Sequence, residues 1–140
     1  MNEIPECFYR VSVKALVLNE TRDKFLICKD KDDYWDVPGG GLDWGETIQK
    51  MLTSEVKKET GLLITEMADR PSYFVTDKSV RFGFWIVNVL YEAKFNSLDF
   101  TPSDECVEIR FVSKEDITNL KVFPSVTKLA DMFKPENHKK

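Results

Sequence analysis

Apolar and polar residues alternate in several short stretches of the chain, and this two-residue period predicts β-strands. Residues 11–18 alternate in this way, residues 19–23 form a polar turn, and residues 24–29 bring a second apolar stretch. These three segments predict a β-hairpin. Further strands are predicted at residues 62–64, 73–75, 82–91 and 107–112. The longest apolar run, at residues 82–91, is expected to be a central strand buried on both faces.

A helical period replaces the alternation at residues 46–60. Its apolar stripe is formed by Ile48, Met51, Leu52 and Val56, which recur at roughly helical spacing. Gly61 follows directly, and glycine is the residue type that most often lies just past a helix end. This segment therefore predicts an amphipathic helix with one face on the core.

Two shorter helices are predicted towards the C-terminus. Ser113 is positioned to cap the first, and the second is expected to begin at residues 124–126 and to end near residue 133. Residues 136–140 form a polar tail that we expect to be mobile. Strands mixed with helices, without repeats or a linker, predict a single α/β domain over residues 1–135.

The most specific pattern lies between the hairpin and the first helix. Residues 35–41 read WDVPGGG, which predicts a loop made rigid by Pro38 and then flexible by its three glycines. Residues 40–62 continue as GGLDWGETIQKMLTSEVKKETGL. This segment resembles the Nudix box, Gly-x5-Glu-x7-Arg-Glu-φ-x-Glu-Glu-x-Gly-φ, where φ is aliphatic. Counted from Gly40, seven of the nine specified positions match.

The resemblance implies a fold and a chemistry. The fold would be an α/β/α sandwich with a mixed sheet and the box helix packed on it. The activity would be metal-dependent hydrolysis of a nucleoside diphosphate linked to another moiety, with Mg²⁺ or Mn²⁺ neutralising the phosphates. Glu55 and Glu59 would bind the metal, and Glu55 would also activate the attacking water. Gly39, Gly40 and Gly41 would shape the loop that faces the phosphates.

Two positions of the box depart from the family pattern. Ser54 replaces the arginine, and Lys58 replaces a metal-binding glutamate, so the metal is expected to bind weakly. Three interpretations remain open. Lys58 extends away from the site, or it pairs with Glu55 or a substrate phosphate. Alternatively, the site is not catalytic and the domain binds a nucleotide or a protein partner.

Several residues outside the helix are further candidates for the site. Glu105 precedes the predicted strand at 107–112, and Glu108 lies near its start. Many Nudix enzymes carry a catalytic or metal-binding glutamate in this region. Trp44 lies in the polar part of the box, where it would cover the pocket mouth or pack under the loop. The other aromatic side chains considered for stacking on a base are Tyr34, Trp35 and Trp85.

Composition narrows the expected partners. The net charge is −4 and the pI about 5.1, with no basic patch typical of nucleic-acid binding. No nucleic-acid polymer is therefore expected as a partner, and the longest apolar run, at residues 82–91, is too short to span a bilayer. The resemblance implies a small nucleotide or other diphosphate as the partner. The chain starts without the pattern of a secretory signal. Its three cysteines have no metal-site spacing and are expected to be isolated and reduced. These features favour a cytoplasmic protein. The sequence does not indicate its oligomeric state.

Overall fold

The computed structural model describes residues 6–139. Residues 1–5 and 140 lie outside the described range. They include part of the segment compared with a secretory signal and the end of the predicted tail. The strands are β1 (Arg10–Val17), β2 (Phe25–Lys29), β3 (Trp35–Asp36), β4 (Gly39–Gly41), β5 (Ile64–Met67), β6 (Tyr73–Lys78), β7 (Trp85–Phe95) and β8 (Glu108–Val112). The α-helices are α1 (Ile48–Thr60) and α2 (Pro124–Met132).

Two sheets form the centre of the fold. The larger sheet has the order β4-β1-β7, and the other edge of β7 pairs with β6 along its first half and with β5 along its second half. Strands β1 and β7 are parallel and the other pairs are antiparallel, so the sheet is mixed as predicted. The smaller sheet is antiparallel with the order β3-β2-β8. Strand β7 is central, as predicted from its apolar content.

The predicted hairpin is wrong. Strands β1 and β2 belong to different sheets and meet only through an isolated bridge between Leu18 and Phe25. The polar turn is present, because the Asn19 N–H donates to the carbonyl of Lys24 at 3.1 Å. Beyond this bridge the strands diverge, since β1 finds its partners in β4 and β7 and β2 finds its partners in β3 and β8.

Three other local predictions also need correction. The glycine segment is not a loop, because Gly39–Gly41 forms strand β4 on the edge of β1. The segment after Ser113 is a series of turns rather than a helix. Its Asp116 carboxylate accepts from both the N–H and the hydroxyl of Ser113, which closes a turn. Strand β5 begins two residues later than the predicted start, and β7 begins three residues later.

The helices pack on opposite faces of the larger sheet. Helix α1 packs Met51, Leu52 and Val56 against the β1 side chains Val13 and Ala15. Helix α2 packs Val126, Leu129 and Ala130 against the other face, together with Leu16, Val75, Leu90 and the smaller sheet. This arrangement is the predicted α/β/α sandwich.

The C-terminal residues contact the domain rather than projecting from it. Pro135–Asn137 forms a 3₁₀-helix, and the buried His138 stacks on Phe133. The His138 ring is hydrogen-bonded to the Tyr73 hydroxyl at 2.7 Å and to the Glu92 carboxylate at 3.1 Å. These contacts differ from the mobile tail expected after residue 135. No helix within residues 6–139 has the length and apolar content needed to cross a bilayer.

Candidate active site

A cavity of about 670 Å³ lies between the two sheets. Its floor is formed by inward-facing residues of β1 and β7, among them Ser12, Lys14 and Asn88. Glu55 and Glu59 of α1 border it, together with Gly39 and Gly41 of β4. The connection between β6 and β7 also borders it, together with Tyr34 and Phe123. The cavity therefore extends from a glutamate-lined end to an aromatic end.

The local sequence sets the position of the two glutamates. The Thr47 hydroxyl accepts from the Lys50 N–H at 3.4 Å, so the helix begins at Ile48 rather than at Glu46. Gly61 ends it in the left-handed conformation (φ 74°), as predicted. Since residues four apart share a helix face, burial of the apolar stripe turns Glu55 and Glu59 together towards the cavity.

Glu59 is an unusually placed carboxylate. Its Oε1 accepts from the backbone N–H of Gly39 at 3.2 Å. Burial raises the pKa of Glu59 to about 8, although the nearby Lys14 ammonium and the Gly39 N–H oppose the increase. The neighbouring Glu55 and Asp36 carboxylates raise this pKa further. Burial is thus the main reason that Glu59 holds its proton in the metal-free protein, and the two neighbouring carboxylates add to it.

Strand β4 requires glycine for two different reasons. Gly39 has φ 146°, and a Cβ there would collide with the carbonyl oxygen of Val13. A Cβ on Gly40 would lie 3.0 Å from Cγ of Glu55, so the Glu55 stem lies directly over this residue. Gly39 and Gly41 line the cavity, whereas Gly40 supports Glu55.

Lys14 and Asp36 connect the two sheets inside the cavity, although nothing in the sequence marked them as site residues. Lys14 Nζ lies 3.2 Å from Asp36 Oδ2. Burial lowers the pKa of Lys14, but the Asp36 and Glu59 carboxylates outweigh that effect and the pKa is raised. The alternation gave no signal for this, because Arg10, Ser12 and Lys14 form the polar side of β1, and the polar side of a strand usually faces solvent.

Of the other residues predicted for the site, one lines the cavity and two do not. Glu105 lines the cavity, whereas Glu108 does not and pairs with Lys29 and Arg110, each at 3.2 Å. Trp44 is fully exposed, does not line the cavity and does not pack under the loop.

Among the ion pairs of residues 6–139, Lys58 pairs with Glu105 and with neither Glu55 nor Glu59. Its ammonium lies 4.0 Å from Glu105, and its side chain is 69% exposed. Ser54 is also exposed.

The aromatic end contains one of the side chains considered for base stacking. Tyr34 stacks on Phe123 with ring centroids 4.7 Å apart. The Arg81 guanidinium lies over both rings and pairs with Asp30 at 2.5 Å. Trp35 is instead buried in the core and Trp85 is half-exposed outside the cavity.

The carboxylates of the cavity determine which kind of metal site it could form. Within residues 6–139, no three His, Cys, Asp or Glu side chains form a group that could hold a metal ion. Two carboxylates, Glu55 and Glu59, do border the same cavity. Mg²⁺ is commonly bound by one or two carboxylates, with waters and substrate phosphates completing the octahedron. The residues present therefore fit a cation that is bound together with a phosphorylated substrate.

Comparison with known proteins gives matches over most of the chain. The family profile described as NUDIX domain matches residues 8–133. An RNA pyrophosphohydrolase from Nitratiruptor sp. is 30% identical, over 93% of this chain and 96% of that protein. A MutT protein from Methanosarcina mazei has a TM-score of 0.72 at 23% identity, covering 97% of this chain and all of that one. An ADP-ribose pyrophosphatase from Streptococcus suis has a TM-score of 0.68 at 22% identity, covering 95% and 94%.

Proposed function

Because the chain belongs to the Nudix family, we propose that it hydrolyses the diphosphate bond of a nucleoside diphosphate linked to another moiety. The observation that carries the proposal is the Glu55 and Glu59 pair on one face of α1, bordering the cavity beside β4. The aromatic end of the same cavity offers flat surfaces for a base. The diphosphate would lie at the glutamate end and the nucleoside would extend towards Tyr34 and Phe123.

Mg²⁺ or Mn²⁺ held by Glu55 and Glu59 would neutralise the phosphate oxygens and lower the pKa of the attacking water. The chain itself contributes three further effects. The Gly39 N–H orients the Glu59 carboxylate. The Lys14 ammonium, buried between Asp36 and Glu59, adds positive charge near the phosphates. The Glu55 carboxylate accepts the proton of the attacking water.

Lys58 fits the first of the three interpretations of the altered box. An exposed ammonium beside Glu105 is compatible with weak metal binding by Glu55 and Glu59. Glu105, which borders the cavity, is the second candidate for proton transfer. The third interpretation, a non-catalytic domain that binds a nucleotide or a protein partner, remains the alternative proposal.

One comparison supports a second substrate class. The relative from Nitratiruptor sp. is named an RNA pyrophosphohydrolase and aligns with 93% of this chain. A triphosphorylated 5′ end of an RNA carries the same phosphoanhydride linkage as a free nucleoside triphosphate. We therefore include it among the proposed substrates, against the expectation from net charge that no nucleic-acid polymer binds.

The test combines metal binding with a hydrolysis screen. Calorimetry with Mn²⁺ should give weak binding that Glu59→Gln abolishes and the exposed control Glu66→Gln preserves. The screen would contain nucleoside diphosphate sugars, dinucleoside polyphosphates and a 5′-triphosphorylated RNA. Glu55→Gln should lower kcat on the best substrate by a factor on the order of 10².

Two outcomes would count against this assignment. Unchanged metal affinity in Glu59→Gln would remove the glutamate pair from the metal site. Nucleotide binding without turnover of any substrate, by a folded wild-type protein that binds Mn²⁺, would favour the non-catalytic alternative.

A further inference from the structure

Asp77 is a buried carboxylate in the cavity wall, and it has no role in the proposed hydrolysis. It occupies an inward-facing position of β6 and is 5% exposed. Its Oδ1 accepts from the Asn88 amide at 2.9 Å, and the same amide nitrogen donates to the Val75 carbonyl at 3.3 Å. Within residues 6–139, Asp77 has no salt-bridge partner and no other side-chain hydrogen bond. Its carboxylate therefore keeps acceptor capacity on the side of the cavity.

Strand pairing gives the separation between β6, which carries Asp77, and β4, which lies at the glutamate end of the cavity. Across the sheet, Gly41 of β4 pairs with Ser12 of β1, and Ser12 pairs with Asn88 of β7. Two residues before Asn88, Ile86 of β7 pairs with Asp77 of β6. Strands in a sheet lie about 4.8 Å apart, so the three steps from β4 to β6 span roughly 14 Å. This span suits a nucleotide whose phosphates lie over β4 and whose base reaches β6.

The surroundings of Asp77 suit a base. Tyr34 stacks on Phe123 across the cavity, and Phe82 stacks on Phe84 with ring centroids 5.4 Å apart. Bases stack on aromatic faces regardless of their identity. Tyr34 is already covered by Phe123 and by the Lys121 ammonium, which lies 4.0 Å from its ring centroid. The exposed Phe82 and Phe84 rings would thus hold a base without selecting it, and selection would depend on a polar group at the base edge.

We propose that Asp77 selects guanine by accepting hydrogen bonds from the N1–H and 2-amino groups of the base. An ionised carboxylate only accepts hydrogen bonds and can accept two in parallel. Guanine presents two adjacent N–H donors, whereas adenine presents one amino group and uracil one N–H between two carbonyl oxygens. Asp36 is already engaged by Lys14 and by the Val37 N–H, and Asp30 at the aromatic end is engaged by Arg81. The inference rests on the proposed function, because it places a nucleotide in this cavity.

The experiment measures binding of GDP, IDP, XDP and ADP by calorimetry, without requiring hydrolysis. Wild-type protein should bind GDP more tightly than ADP by a factor on the order of 10 or more, because an unsatisfied buried polar group penalises the wrong base. IDP, which lacks the 2-amino group, should be intermediate. In Asp77→Asn, the amide still accepts from Asn88 but now donates into the cavity. GDP affinity should then fall by a similar factor and XDP affinity should rise, because xanthine has a carbonyl where guanine has the amino group.

Asp69→Asn, an exposed change of the same kind, is the matched control and should keep the wild-type order. Circular dichroism would establish that Asp77→Asn is folded. Equal binding of GDP and ADP by the wild type would overturn the inference. So would a GDP preference that survives in Asp77→Asn. Guanine-dependent binding without hydrolysis would instead reject the proposed function and leave the role of Asp77 standing.

Discussion

The free energy of unfolding of the metal-free protein should fall as the pH rises from 6 to 9, because Glu59 ionises in a buried, negatively charged site. The pKa of Glu59 is about 8 in the folded protein and 4.5 for an ordinary glutamate. The folded state therefore retains a proton that the unfolded chain has already released. This contribution to stability is fully present below pH 4.5 and is lost as the pH rises through 8.

The size of the effect follows from the difference in pKa. One pKa unit corresponds to about 1.4 kcal/mol, which sets an upper bound of about 3 kcal/mol for the loss between pH 6 and 9. Partial solvent access to Glu59 reduces the expected loss to about 1–2 kcal/mol. Lys14 does not change the sign, because its pKa is raised from 10.5 and it stays protonated throughout this range.

Urea denaturation in EDTA at four pH values would measure the loss. Glu59→Gln keeps an acceptor for the Gly39 N–H but cannot ionise, so its stability should fall by about 1–2 kcal/mol less than that of the wild type over this range. Glu66→Gln, an exposed residue on β5, should follow the wild type. Adding Mn²⁺ at pH 8 should stabilise the wild type and not Glu59→Gln. Parallel pH profiles for the wild type and Glu59→Gln would refute the reasoning.

Three further changes test other parts of the site. Ser54→Arg combined with Lys58→Glu should strengthen Mn²⁺ binding measured by calorimetry, since an ammonium is replaced by a third carboxylate on the helix that carries Glu55 and Glu59; no gain in affinity would show that these positions do not weaken the site. Gly39→Ala should lower the free energy of unfolding by about 2 kcal/mol or more in urea, because φ 146° and the Val13 carbonyl exclude a Cβ; wild-type stability would contradict the close approach of β4 to β1. Lys14→Met should weaken binding of a nucleoside diphosphate by a factor on the order of 10 while Lys128→Met does not; equal affinity in both variants would remove Lys14 from the phosphate site.

Local patterns in the sequence identified the glutamate end of the site. Glu55 and Glu59 are four residues apart, so any helix through both turns them to one face, and the apolar stripe decides which face that is. Gly61 ends the helix by a rule that also operates locally. The mixed sheet and the layered fold followed from the resemblance of this one segment to a known family.

Predictions that depended on strand pairing were less successful. The turn after β1 looks like that of a hairpin, but β1 pairs in parallel with β7, which begins 75 residues further along the chain than β1 does. No local signal distinguishes the two outcomes, because alternation specifies which residues face inward and not which strand lies alongside. The same limit hid Lys14 and Asp36, whose ion pair connects strands of different sheets.

The sequence by itself determined the elements whose interactions are local: helix α1, the glycine that ends it and its pair of glutamates. Tertiary structure alone decided which distant residues complete the cavity, including Asp77, Asn88, Tyr34 and Phe123. It also decided that Glu105, and not Glu108, borders the cavity, and that Lys58 is exposed and pairs with Glu105. The physical reason is that helical contacts join residues three or four apart, whereas sheet contacts join residues whose separation along the chain is unrestricted.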